Sequence, residues 1–166
     1  TSVPIWAIFE VLTLGEFGNF YSCLSYGVRR EVSIKLGFHQ PSDSDAFLTK
    51  KIIFAIKELR NAVAHNDVIF DTRFSRSSID KSLSSSLEIV TGIKSITFKS
   101  ITDYIILVVY LLKCFGVPKG DMRRFVAEFQ DNIETLRKQI PTSLFARIVL
   151  TDTRPKLKSL QEYIRK

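Results

Sequence analysis

The chain has 166 residues, of which 45% are apolar and 25% charged, enough for one domain with its own core and far from the composition of a disordered segment. A formal net charge of +7 favours polyanionic partners, because Lys and Arg neutralise phosphates and release counterions. Two cysteines and two histidines, scattered at positions 23, 39, 65 and 114, exclude a disulfide framework and give no metal-ligand spacing, so neither a metal nor a cofactor is expected.

PIWAIFEVL (4–12) opens a pattern that is helical nearly throughout. Pro4 suits a first helical turn, Ser2 is available as a cap, and Ile5, Ile8, Phe9 and Leu12 form one stripe. Gly15 and Gly18 punctuate the sequence before FYSCLSYGVRREVSIKLGF, which reads as one bent helix or two short ones ending near Gly37. Cys23 lies inside this apolar pattern and Cys114 inside a later one, and both are expected as small buried hydrophobes in a reducing compartment. HQPSDSD (39–45) is a loop with turn and N-cap chemistry. From Asp45 to about His65, apolar residues recur at Leu48, Ile52, Ala55, Ile56, Leu59, Ala62 and Val63, the spacing of a buried helical face. NDVIFDTRFSRS (66–77) follows as a polar loop anchored by Phe70 and Phe74.

SSIDKSLSSSLEIV (77–90) reads as a helix with a Ser cap, and GIKSITF (92–98) has the composition of a short β segment without an obvious partner. SITDYIILVVYLLKCFG (100–116) is the central apolar helix, ended by Gly116 and Pro118. Its apolar run YIILVVYLL is nine residues long, too short to cross a bilayer, which needs about 20. No membrane partner is expected, and the protein reads as cytoplasmic. A helix over 120–139 carries Met122, Phe125, Val126, Phe129, Ile133 and Leu136 on its apolar side, Pro141 breaks it, and short helices follow at about 142–150 and 155–165. Basic residues concentrate here: 11 basic and 6 acidic side chains lie between Lys119 and Lys166, a bias that a solvated helical surface also produces. With no repeat and no dividing linker, residues 1–166 read as a single all-α helical bundle. The first residue is Thr1 rather than Met, so upstream sequence is expected.

The chemical signal of the chain is ELRNAVAHND (58–67). On a helix each residue advances about 100°, so Asn61 and His65, four apart, share a face. Arg60 lies about 140° away from His65, within reach of a long side chain, and Ala62 and Ala64 keep the neighbouring surface low. Cleavage of RNA without a metal uses such a set. A ribose 2′-OH attacks the adjacent phosphorus, a base takes its proton, and an acid protonates the departing 5′-oxygen. Imidazole suits both proton transfers because its unperturbed pKa is about 6.5. Arg60 can stabilise charge on the phosphoryl oxygens, and Asn61 can orient the imidazole or a phosphate. One copy supplies one such His; a two-fold dimer would supply two. The bland counterpart is a set of surface residues, or an Arg60 paired with Glu58 or Glu10.

PIWAIFEVLTLGEFGNFYSCL followed by IKELRNAVAHNDVIFDTRF resembles the Abi-like family of abortive-infection proteins, of the AbiD/AbiF type. Trp6, Glu10, Leu14 and Gly15 match its Trp-x-x-x-Glu block, and Arg60, Asn61, Ala64 and His65 match its Arg-Asn-x-x-Ala-His signature. The two blocks cover roughly residues 3–75. The resemblance implies the HEPN superfamily: a helical bundle, usually dimeric, whose Arg-x4–6-His motif forms a metal-independent endoribonuclease site across the dimer interface and acts in phage defence or as a toxin. Carried over, Arg60 and His65 are catalytic and Asn61 supports them; Glu10 either pairs with Arg60 or is structural. Asn66 stands where relatives often carry a second His, and it cannot do acid–base work. The resemblance also implies an RNA substrate, a regulatory RNA or antitoxin, and sequence preceding the Trp-x-x-x-Glu helix.

Arg73 and Arg76, just after the motif, are the better candidates for phosphate contacts, ahead of Arg29 and Arg30. His39 reads as a solvated loop residue. Phe20, Tyr21 and Tyr26 could stack on bases, although their helical spacing fits core packing. The rival to a ribonuclease is a non-catalytic HEPN module that binds RNA or a partner protein through the same groove.

Overall fold

The computed structural model describes residues 4–38, 40, 41, 43–64 and 79–166. Among them the secondary structure is helical, with no strand, as the periodicity predicts. Two compact units divide the chain, residues 1–65 and 66–166.

The first unit holds α1 (Ile5–Val11), α2 (Leu14–Cys23), α3 (Tyr26–Lys35) and α4 (Leu48–Ala64). The segment before Gly37 is therefore two short helices, and α2 begins earlier than the glycine punctuation suggests. Thr13 and Glu16 form a reciprocal capping box: the Thr13 N–H donates to Glu16 Oε2 at 2.8 Å, and the Glu16 N–H to Thr13 Oγ1 at 3.2 Å. That cap offsets the helix cost of the two glycines. Gly18 does not break α2; it lets α2 lie close against α4. A Cβ at this position would stand 2.7 Å from Phe54 Cε2.

Tyr21, expected either in the core or as a stacking platform, is 2% exposed and ties three segments together. Its hydroxyl reaches the Arg29 carbonyl at 2.9 Å and the Ala46 carbonyl at 3.1 Å, and Ser33 Oγ lies 3.1 Å away. Ser33 Oγ is in turn 2.7 Å from Thr49 Oγ1 on α4. Arg29 serves the same architecture. Its guanidinium lies 4.1 Å over the Phe47 ring and donates to the carbonyls of Leu24 and Asp45. Phe20 and Tyr26, for which core packing was the expectation, are instead exposed: on α2 the buried side is taken up by Gly18 and Tyr21, and on α3 by Ser33.

α4 starts at Leu48 rather than at Asp45. Asp45 Oδ1 accepts the Phe47 N–H and Asp43 Oδ1 accepts the Leu48 N–H, while Ala46 has a left-handed backbone at φ 54° that no helix continues through. Leu48, Ile52, Ala55 and Ala62 are buried as the spacing predicts, but Val63 is exposed. Cys23, the last residue of α2, is exposed and Cys114 half-buried, so only Cys114 approaches the expected burial, and neither is in a disulfide.

The second unit holds α5 (Lys81–Thr91), α6 (Ile101–Cys114), α7 (Lys119–Gln139), α8 (Thr142–Ile148) and α9 (Thr153–Arg165). α6 is the core helix, with α5, α7 and α9 packed on it and α8 against α7. Gly116 ends α6 as expected: at φ 74° it closes a Schellman turn, with its own N–H on the Lys113 carbonyl and the Val117 N–H on that of Leu112. α5 is capped by Asp80, whose Oδ1 accepts the Ser82 N–H, rather than by a serine.

Residues 92–98 are not a strand. Their amides are taken by side chains instead: Glu88 accepts the Ile96 N–H, and Asp103 Oδ2 accepts the N–H groups of Thr97 and Phe98. Ile93, Ile96 and Phe98 then plug the core. The other Asp103 oxygen meets Lys156 Nζ at 2.7 Å, and Lys156 also reaches Asp152 at 2.8 Å. Burial would lower the Lys156 pKa, but its hydrogen bonds to Asp103 and Asp152 outweigh burial and raise it. Among the described residues no helix is long and apolar enough to cross a membrane.

Candidate functional site

Residues 58–64 of the motif occupy the last turns of α4, whose buried side is fixed by Leu48, Ile52, Ala55 and Ala62. That anchoring leaves Arg60 exposed and Asn61 half-buried at the helix end. The two side chains meet: Arg60 Nη1 donates to Asn61 Oδ1 at 3.1 Å. The bond orients a guanidinium without neutralising it, so its remaining donors are available to an anion. Glu10 and Glu58 are both exposed, and among the described residues neither is ion-paired with Arg60. His65, Asn66, Arg73 and Arg76 lie outside the described residues, as does His39. Of the predicted site residues the structure thus brings together Arg60 and Asn61.

A feature of the same face was not anticipated. Lys50, Phe54, Lys57 and Asn61 follow one another at helical spacings of four, three and four, which sets them in one row along α4. The Lys57 ammonium lies 5.4 Å from the Phe54 ring centroid, and that of Lys50 lies 5.8 Å from the same ring and 5.5 Å from that of Phe47. Two cations held over aromatic faces therefore lead toward the Arg60–Asn61 pair. Lys57 also borders Gly15 of α2, its side-chain carbons 3.5 Å from where a Cβ would stand. In KKIIFAIKELRN the spacing marks these residues as one face, but the apolar stripe on the opposite side of the helix is the stronger pattern.

Beside this row, α1 and α2 present apolar surface. Phe9 makes edge contacts with Phe17 and Phe20 at 6.1 and 5.7 Å between ring centroids, and Phe9, Phe20, Leu14, Val11 and Trp6 are all exposed. Exposed apolar groups of this size on a small unit are characteristic of interaction surfaces. Among the described residues no cluster of three or more His, Cys, Asp or Glu side chains forms a candidate metal site.

Residues 1–71, which include α1, the Trp6–Glu10 block and the Arg60–His65 motif, match the family model described as Abi-like protein. No curated protein and no solved structure matches the chain.

Proposed function

We propose that the protein is a metal-independent endoribonuclease of the HEPN type, acting as a homodimer in abortive infection or as a toxin in the cytoplasm. The observation that carries this reading is the Arg60–Asn61 pair at the exposed end of α4, four residues ahead of His65 in sequence. The match of residues 1–71 to the Abi-like model supports the abortive-infection setting.

In this mechanism His65 of one protomer takes the 2′-OH proton and His65 of the other protonates the leaving 5′-oxygen, giving a 2′,3′-cyclic phosphate and a free 5′-hydroxyl. Arg60 holds the phosphoryl oxygens as charge grows on them, and Asn61 fixes the guanidinium. Lys57 and Lys50, together with Arg73 and Arg76, supply backbone contacts that do not read sequence. The exposed Phe9, Leu14 and Trp6 are suited to burial in the dimer.

The alternative is a non-catalytic module that binds RNA or a partner protein, favoured by Asn66 standing where a second His would. Cleavage and binding measured in parallel on single-stranded RNA in EDTA distinguish the two. The ribonuclease gives cyclic-phosphate ends, and its His65→Ala variant binds RNA but leaves it whole. Binding without cleavage by the wild-type chain identifies the module.

A further inference from the structure

A cavity of about 540 Å³ lies in the second unit between α7, α8 and α9. Its walls are Ile133, Phe145, Val149 and Leu157. α8 contributes no residue to the core; its Phe145, and Val149 just after it, border this space instead. At the rim, Arg154 Nη2 donates to Glu134 Oε1 at 2.6 Å, and Arg137 Nη1 stands 3.6 Å from Glu134 Oε2. The hydrogen bond from Arg154 keeps the Glu134 carboxyl below the usual range, so it is ionised. Two guanidiniums then face one carboxylate, and the more loosely held is Arg137.

A concave, mainly apolar space of this size with a few polar groups at one side is the form of a small-molecule site. We propose that it binds a small amphipathic anion, an aliphatic or single-ring body with one carboxylate head. The body replaces water against Ile133, Phe145, Val149 and Leu157, and the head takes the surplus donors of Arg137. Two guanidiniums against the single Glu134 carboxylate leave a net charge of one, which matches a monoanion; a phosphomonoester dianion would bring more charge than the rim can balance. The site is independent of the α4 motif, and its occupancy does not require that the chain cut RNA.

Titration calorimetry of the full chain with octanoate tests this, with octanol and octylammonium as uncharged and cationic analogues. Octanoate should saturate at one per chain and bind at least about tenfold tighter than either analogue, the scale of one charge-assisted hydrogen bond. Arg137→Gln should weaken octanoate about tenfold without moving octanol, and Ala146→Trp, filling the space from α8, should remove both. Circular dichroism checks that each variant keeps its helices; if Ala146→Trp unfolds, Arg137→Gln decides alone. Octanoate that fails to saturate, binds no tighter than octanol, or is unaffected by Arg137→Gln overturns the proposal.

Discussion

Gly18 shows how one missing side chain sets the distance between two helices. With Phe54 Cε2 only 2.7 Å from its would-be Cβ, a methyl group must push the ring aside or part α2 from α4. Alanine gains about 1 kcal/mol of helix propensity over glycine, while overpacking costs about 1–3 kcal/mol, so Gly18→Ala should destabilise the protein by up to about 2 kcal/mol. Urea denaturation measures it, and Phe54→Leu in the same chain should recover most of the loss. Lys57, on the same helix face, is a phosphate contact in the proposed ribonuclease. Lys57→Ala should weaken RNA binding and reduce the slope of log affinity against log salt by about 1, whereas Lys99→Ala on the second unit should leave the slope unchanged. The adjacency of Arg60 and Asn61 was legible from sequence alone. The cation–aromatic row was legible only once Phe54 was known to sit beneath two lysines, because spacing gives a face but not what lies on it.

At the scale of elements, periodicity located the helices and missed where competing side chains take the backbone. Asp43 and Asp45 delay α4 by capturing amides, and Glu88 and Asp103 convert an apparently strand-like stretch into a core plug. A short polar side chain acting on its own loop leaves no periodic trace, so these features were not readable in advance. The Asp103–Lys156–Asp152 network that results joins the start of α6 to α9 and has a consequence for pH. A Lys156 pKa raised above its ordinary value of 10.5 means that its contribution to stability is fully present below that pH and is lost as pH rises through the folded-state value. Tyr163, pushed up to about 12 chiefly by burial, acts in the same direction, since the unfolded chain ionises it first. Thermal melts should therefore fall steeply above about pH 10. Lys156→Met should lower the melting temperature at pH 8, by about 3–5 kcal/mol in stability for an unpaired buried charge, and flatten the alkaline fall.

For the molecule as a whole, the all-α class followed from helical periodicity running through nearly the whole chain. The division into two units did not, because no linker composition marks it. Of the candidate site, the motif gave the residues but not the Arg60–Asn61 hydrogen bond, since neighbours in sequence point to different sides of a helix; the expected shared face of Asn61 and His65 lies outside the described residues. In the proposed ribonuclease the α4 row meets the RNA and the exposed aromatic cluster of α1 and α2 is buried in the dimer. The most direct measurement of that claim is the end-group analysis of single-stranded RNA incubated in EDTA with the wild-type, Arg60→Ala and His65→Ala proteins. The account predicts 2′,3′-cyclic phosphate ends from the wild type and a rate lowered about 10²-fold or more in both variants. RNA left whole by the wild type, or cut equally fast by His65→Ala, would contradict it.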